Sequence, residues 1–278
     1  MTRPFEYALL DGELLPFDEA RLSLAHPVFL TSFGVYETVK VDRGRPFHLP
    51  EHLQRLQNSA RWLSLPLPPF ETLLAWGRTL LRALPPASYT IRILALGDTP
   101  PGGETLVVYL PVPTPTYPPD YYTGGAKAIT FPGERALPQC KSLNTLINHL
   151  ARRAARSQGA IEAILTHHGE WHEGARSNVF VVEAETGRLL TPPEEKVLSG
   201  ITRDIVIQVM QDSPHPVHQT PIPAGLPIAE MFITSTSMHV LPITTLNGQP
   251  VGEGRVGPVT KEAMSRFNEY YAKVMARS

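Results

Sequence analysis

The chain has 278 residues and a mass of 30.7 kDa, enough for one large domain or two modest ones. Apolar residues make up 42% and charged residues only 18%, so a substantial core can be buried and a disordered chain is excluded. Lys plus Arg (25) nearly cancels Asp plus Glu (26), and the net charge of −1 gives nucleic acid no basic footprint to bind. The single cysteine, Cys140, excludes an internal disulfide and any Cys-rich zinc site. No run approaches the roughly 18 apolar residues of a membrane span, and the opening Met-Thr-Arg-Pro-Phe-Glu lacks an apolar signal core. These features lead us to expect a cytoplasmic protein with neither membrane nor nucleic acid as partner.

In chain order, Tyr7–Leu10 reads as a short strand, followed by an Asp11-Gly12 turn and a second short strand. Residues 33–41, β-branched and aromatic, form a strand that turns at Arg43-Gly44. After Pro50, Leu49, Leu53, Leu56, Ala60 and Leu63 repeat at helical spacing. A second helix is predicted over 70–84, and strands over 88–96 and 104–110. The 29 prolines cluster at Pro111, Pro113, Pro115, Pro118 and Pro119, ahead of Gly124-Gly125. Such a stretch ends regular structure, so 112–125 is expected to link a smaller lobe (1–111) to a larger one (126–278). The second lobe should hold a strand at 126–131, a helix at 143–157 and a hairpin from Ile161–Thr166 through His167-His168-Gly169-Glu170 to Val179–Val182. A helix at 200–211, a strand at Met231–Thr234 and a terminal helix at 257–276 complete it. Without strict βαβ alternation the class is α+β.

Three patterns carry no chemistry on inspection. Gly252-Glu-Gly254-Arg-Val-Gly257 matches a dinucleotide fingerprint but follows the hairpin turn Asn247-Gly248-Gln249-Pro250 instead of a strand that leads into a crossover helix. His167, His168 and His172 fall on a hairpin whose successive side chains diverge, and they are read as exposed turn residues, with no metal expected. Arg152, Arg153 and Arg156 are read as a solvated helix face. No nucleophile elbow or Walker lysine is present.

Four segments remain: Cys140-Lys141-Ser142-Leu143-Asn144, Glu173-Gly174-Ala175-Arg176-Ser177-Asn178-Val179-Phe180, Ser199-Gly200-Ile201-Thr202-Arg203-Asp204 and Phe232-Ile233-Thr234-Ser235-Thr236-Ser237. On residues alone, Lys141 is a cation at a strand-to-helix junction, where the helix dipole disfavours it. Thr202 is a helix cap, Thr236 a turn residue, Arg55 a solvated helix charge and Cys140 a small packed side chain.

Taken together and in this order, the segments make the chain resemble the class IV pyridoxal-phosphate enzymes from Tyr7 to about Tyr271. These are the branched-chain and D-amino-acid aminotransferases and the aminodeoxychorismate lyases. The resemblance implies the two-lobe fold type IV, with the cofactor, pyridoxal 5'-phosphate, between the lobes. It implies a homodimer acting on an amino acid and a 2-oxo acid by a ping-pong mechanism, the amino acid being a branched-chain L- or a D-amino acid. A lyase that releases pyruvate with the same cofactor is the alternative. Lys141 resembles the lysine that forms the internal Schiff base and later moves the α-proton. Glu173 resembles the carboxylate that keeps the pyridine nitrogen protonated. Arg55, the Ile201 and Thr202 amides, and Ser235 with Thr236 resemble the phosphate seat. Tyr36, Ser237 and Met238 fall at substrate-pocket positions.

The second lobe is closest to the D-amino-acid enzymes, whose Arg and His in the loop after strand 88–96 trap a carboxylate. That loop, Gly97-Asp-Thr-Pro-Pro-Gly-Gly-Glu104, contains neither here. Tyr89-Thr-Ile-Arg92 instead resembles a branched-chain stretch whose arginine binds an acidic co-substrate. Its spacing is one residue short, and a one-residue slip would reverse the face Arg92 occupies. Thr31-Ser32-Phe33-Gly34 also departs from the family's glycine-rich approach to Tyr36.

Overall fold

The alternating strand read at 33–41 is the spine of the first of two compact units. They are seen in a computed structural model whose described residues are 5–97 and 105–277. The first unit comprises 1–115, 140–144 and 274–278, and the second 116–139 and 145–273. Residues 98–104, where the Arg and His pair was sought, lie outside the described residues.

In the first unit, β1 (Tyr7–Leu10) and β2 (Glu13–Pro16) form a hairpin, and α1 (Val28–Thr31) is a single turn. β3 (Gly34–Asp42) and β4 (Arg45–Pro46) lead into α2 (Leu49–Trp62) and α3 (Phe70–Ala83), then β5 (Tyr89–Gly97) and β6 (Thr105–Val112). The sheet is antiparallel, in the order β2-β1-β6-β5-β3-β4. Period-two alternation on β3 buries Val35, Glu37, Val39 and Val41 and leaves Tyr36, Thr38 and Lys40 half-buried on the other face. The buried face meets Leu53, Leu56 and Ala60 of α2 and Leu73 and Leu80 of α3 in one core. Tyr109 adds to it, its hydroxyl donating to the Leu73 carbonyl at 2.7 Å.

The second unit begins with α4 (Asp120–Thr123), a helical turn within the proline-rich stretch, and β7 (Ala126–Pro132). The crossover helix α5 (Leu146–Ser157) starts at Leu146 instead of 143 and joins β7 to the parallel β8 (Glu162–His167). Ala151 and Ala155 let α5 sit close on Ile129, Ala163 and Leu165. The predicted hairpin is corrected: β8 returns through β9 (Glu170–Gly174), while β10 (Asn178–Glu183) pairs mainly with a later strand. β11 (Leu189–Thr191), α6 (Ile201–Met210), β12 (Val217–Gln219), β13 (Ile222–Pro223), β14 (Ile228–Ser235), β15 (His239–Leu246), β16 (Gln249–Pro250) and α7 (Pro258–Arg277) follow. The strands run β12-β11-β10-β14-β15-β7-β8-β9-β13, and the pairing of Asn178 with Glu173 closes β10 through β9 on itself.

The glycine pattern at 252–257 is a packing feature. A Cβ on Gly252 would lie 2.0 Å from the Ala229 carbonyl oxygen, and one on Gly257 would lie 2.1 Å from the Glu230 carboxyl carbon. That carboxylate accepts from the Val259 and Thr260 amides at 3.2 and 2.7 Å, capping α7 from β14. His172 is not an exposed turn residue: it sits on β9, only 7% exposed, with Glu134 at 3.8 Å. Among the described residues no group of three His, Cys, Asp or Glu side chains is placed to hold a metal. No described helix is long and apolar enough to cross a membrane.

Candidate active site

In the first unit the segment 140–144 is extended. The expected strand-to-helix junction is not where Lys141 sits, because α5 starts five residues later. Its backbone runs along the start of β3: Tyr36 N donates to the Lys141 carbonyl at 2.9 Å, Leu143 N to the Gly34 carbonyl at 2.9 Å, and Val35 bridges Ser142. Lys141 N donates to Ser59 Oγ at 3.0 Å, and the fully buried Cys140 thiol faces the Ser59 carbonyl. These bonds fix the backbone at the lysine. Its Nζ lies 4.5 Å from the centroid of the Tyr36 ring, and no described carboxylate lies within ion-pair distance. The lysine's amino group faces the aromatic ring.

Arg55 is not the solvated helix charge its sequence suggests. Its Nε and Nη2 donate to Glu37 Oε1 and Oε2 at 2.7 and 2.9 Å, a bidentate pair with a fully buried carboxylate. Glu37 Oε2 also meets His52 Nδ1 at 2.7 Å. Burial alone would raise the Glu37 carboxyl, but the charges and hydrogen bonds of Arg55 and His52 outweigh it and hold it well below the usual carboxylate range. Burial pushes His52 down against the pull of Glu37, and facing a carboxylate its Nδ1 is the donor. The expected phosphate arginine thus has two of its nitrogens committed to Glu37. The sequence signal for this pair was available: Glu37 alternates into the core on β3, opposite the His52 and Arg55 face of α2.

Arg92 is exposed on β5 and pairs directly with Thr38, so it shares the face of Tyr36 and Lys40. The register left open by the spacing therefore turns Arg92 away from the core.

In the second unit, Glu173 is a buried carboxylate at the closing pair of the sheet. Arg135 Nε donates to its Oε1 at 2.6 Å and the Leu198 amide to its Oε2 at 3.2 Å. Arg135 also reaches the Pro138 carbonyl. Asn178, paired with Glu173 across the strands, donates from Nδ2 to the Leu198 carbonyl at 2.8 Å. Loop 197–200 is thereby tied down on both sides just before α6. No side chain caps α6, so the first amides, those of Ile201 and Thr202, keep the free N–H groups of a helix start. A Cβ at Gly200 would lie 2.0 Å from Asn178 Oδ1, which makes glycine necessary at this cap. Thr202 is buried, and the buried Arg203 donates from Nη2 to the Pro192 carbonyl and to Gln219 Oε1, both at 2.9 Å. The arginine of this motif is structural, locking α6 to the strands below it.

Ser235 and Thr236 follow Thr234, which pairs with Asn178, so this turn adjoins the same corner. Ser235 Oγ accepts from the Met238 amide at 3.2 Å, and the neighbouring Thr234 Oγ1 is buried without a partner. Ser237 Oγ is 3.0 Å from the Tyr117 hydroxyl. The Met238 side chain is built into the core at 0% exposure, and its carbonyl accepts from Tyr122. The structure therefore gathers Glu173, the α6 amides, Ser235, Thr236 and Ser237 in the second unit. In the first unit it gathers Tyr36 with Lys141, and Arg55 with Glu37. Sequence reasoning missed Arg135, Glu37, His52 and Tyr117.

Residues 34–246 match the family described as amino-transferase class IV. A D-alanine aminotransferase from Staphylococcus aureus (strain COL) is 31% identical over 283 residues, covering 95% of this chain and 98% of that protein. The crystal structure of the Escherichia coli branched-chain amino acid aminotransferase superposes with a TM-score of 0.85 at 29% identity, covering 93% of this chain and 92% of that one. The branched-chain amino acid aminotransferase of Thermoproteus uzoniensis, a thermophilic archaeon, solved with norvaline, superposes at 0.82 and 26% identity, covering 94% and 93%. These relatives lend the lyase alternative nothing. With its two-sheet fold-type IV architecture, the chain belongs to the class IV aminotransferase family and is a transferase.

Proposed function

We propose that this aminotransferase uses pyridoxal 5'-phosphate to move an amino group between an amino acid, of the branched-chain L- or the D-type, and a 2-oxo acid by a ping-pong mechanism. The observation that carries the reading is the setting of Lys141, its backbone fixed against β3 and its Nζ over the Tyr36 ring, with no ion-paired carboxylate among the described residues. The residues fit the cofactor's three demands. Glu173, braced by Arg135 and the Leu198 amide, is a buried acceptor suited to the pyridine N–H. The uncapped start of α6, with the Ser235 and Thr236 hydroxyls, suits a phosphate. Arg55 of the first unit, its charge moderated by Glu37, is a cation suited to a phosphate.

When bound, the pyridoxal ring supplies an electron sink for charge developing at the substrate α-carbon. Lys141 Nζ would take the proton from that carbon and return it on the far side of the transfer. Glu173 would hold the ring nitrogen's proton in place, and Tyr36 would wall the lysine from solvent. Arg92, on the Tyr36 face, is suited to the side-chain carboxylate of an acidic co-substrate, and Ser237 to the substrate near Tyr117. A homodimer in the cytoplasm completes the proposal. Sedimentation velocity tests the dimer.

The test of function is to add single L- and D-amino acids, without acceptor, to the purified yellow protein. Loss of the band at roughly 400–430 nm, with a rise near roughly 330 nm, is the expected half-reaction, and the effective enantiomer defines the stereochemistry. Lys141→Ala should lose the response altogether. If no amino acid discharges the wild-type band, the aminotransfer proposal fails.

A further inference from the structure

Arg176 lies in the turn between Glu173 and Asn178. Its guanidinium carbon stands 5.6 Å from the centroid of the Tyr117 ring, and Tyr117 hydrogen-bonds Ser237. Its Nε is buried and has no hydrogen-bond partner. The nearest carboxylate oxygen, Glu162 Oε2, is 3.9 Å away, outside hydrogen-bonding reach. Glu162 directs that oxygen to Ser177 Oγ at 2.9 Å and its other oxygen to the Ala163 amide at 2.9 Å. Burial also pushes the Glu162 carboxyl up, which weakens it further as a counter-charge. On the other side stands Arg152 of α5, half-buried and not the solvated charge its sequence suggests. Its guanidinium is pushed down first by burial and then by Arg176.

A guanidinium over a tyrosine ring, its buried Nε without a hydrogen-bond partner and its charge coupled to a second cation, is arranged for an anion that is not part of the chain. Its planar fork fits two oxygens of one carboxylate. Of the Tyr117 and Ser237 hydroxyls, 3.0 Å apart, one donates to the other and the second keeps its proton for a ligand at the same corner. We infer that Arg176, with Tyr117 and Ser237, seats the substrate's α-carboxylate. This inference rests on the aminotransferase reading of the same site. The α-carboxylate is the group every amino acid and 2-oxo acid shares.

The test is calorimetric titration of the holoenzyme with 4-methylpentanoate, which cannot react, and with its neutral isostere 4-methylpentanamide. Wild type should prefer the carboxylate by about 10- to 100-fold, the range for a charge-assisted hydrogen-bonded pair. Arg176→Gln should abolish that preference, Arg176→Lys should keep part of it, and Tyr117→Phe should weaken the carboxylate alone by several-fold. KM should rise by a similar factor for monocarboxylic and dicarboxylic amino acids. Retention of the preference in Arg176→Gln, as a merely structural role would give, overturns the inference. So does a KM rise confined to dicarboxylic substrates. If wild type binds the carboxylate selectively but no amino acid alters its spectrum, the parent reading has failed instead.

Discussion

Replacing Glu37 with glutamine removes the charge that balances Arg55 inside the first unit. The carboxylate accepts from Arg55 Nε and Nη2, from His52 Nδ1 and from the Thr38 amide at 3.2 Å. A glutamine keeps one acceptor oxygen and turns the other into a donor that faces donors. Breaking a buried pair from one side costs about 3–5 kcal/mol. Arg55 retains 12% exposure, so the lower end applies, and a loss of about 3 kcal/mol corresponds to a Tm drop of about 6–12 °C. Because the Glu37 carboxyl lies below its ordinary range when folded, its contribution is complete above the unfolded value of about 4.3 and is lost as pH falls below it. Thermal unfolding of wild type and E37Q, followed by circular dichroism from pH 7 to pH 3, should show a full gap at pH 7 that narrows below about pH 4. The double variant Glu37→Leu with Arg55→Met should recover part of the loss, since no charge is left stranded. A gap under about 1 kcal/mol at pH 7, or one that stays constant down to pH 3, would refute the reasoning.

Gly200→Ala drives a methyl group into Asn178 Oδ1 and moves the start of α6. It should cost about 1–3 kcal/mol and weaken pyridoxal phosphate binding by about tenfold or more, read by equilibrium dialysis. Retained cofactor affinity would remove α6 from the phosphate seat. Glu230→Ala strips the remote cap from α7 and should lower stability by about 1–2 kcal/mol in urea unfolding, with KM unaffected. Glu162→Gln should gain stability relative to wild type as pH rises from about 4 to 8. The folded state holds that proton more tightly than the unfolded chain does, so ionisation costs wild type alone. A pH-independent difference would count against the raised carboxyl.

The elements with strong periodicity were legible in the sequence: α2, α3, α6, α7, β3 and β5 fall within a residue or two of their expected bounds. So was the order of the four motifs, because chemistry fixes residue type and spacing at Lys141, Glu173, the α6 start and Ser235-Thr236. Sequence periodicity misses whatever depends on partners distant along the chain. β9 escaped notice because three of its five residues, Glu170, His172 and Glu173, are polar by type, yet His172 and Glu173 are buried in a strand that pairs with β8, β10 and β13. The extended setting of Lys141 comes from pairing with β3, a hundred residues earlier, and not from any local preference of Cys140–Asn144.

Charges make the same division sharper. Glu37, Arg55, Arg135, Arg152, Arg176 and Arg203 are alike in the sequence as ionisable surface types. Tertiary structure alone decided that Glu37 would neutralise Arg55, that Arg135 would brace Glu173, and that Arg203 would lock α6. It also left Arg176 beside a tyrosine without a hydrogen-bonded carboxylate. The sequence by itself determined which chemical groups the chain owns and the family they belong to. Which of those groups are spent on one another, and which remain for a ligand, was decided only when folding buried some carboxylates next to cations and turned others away. The free energy of a charge depends on its neighbours in space far more than on its neighbours in sequence.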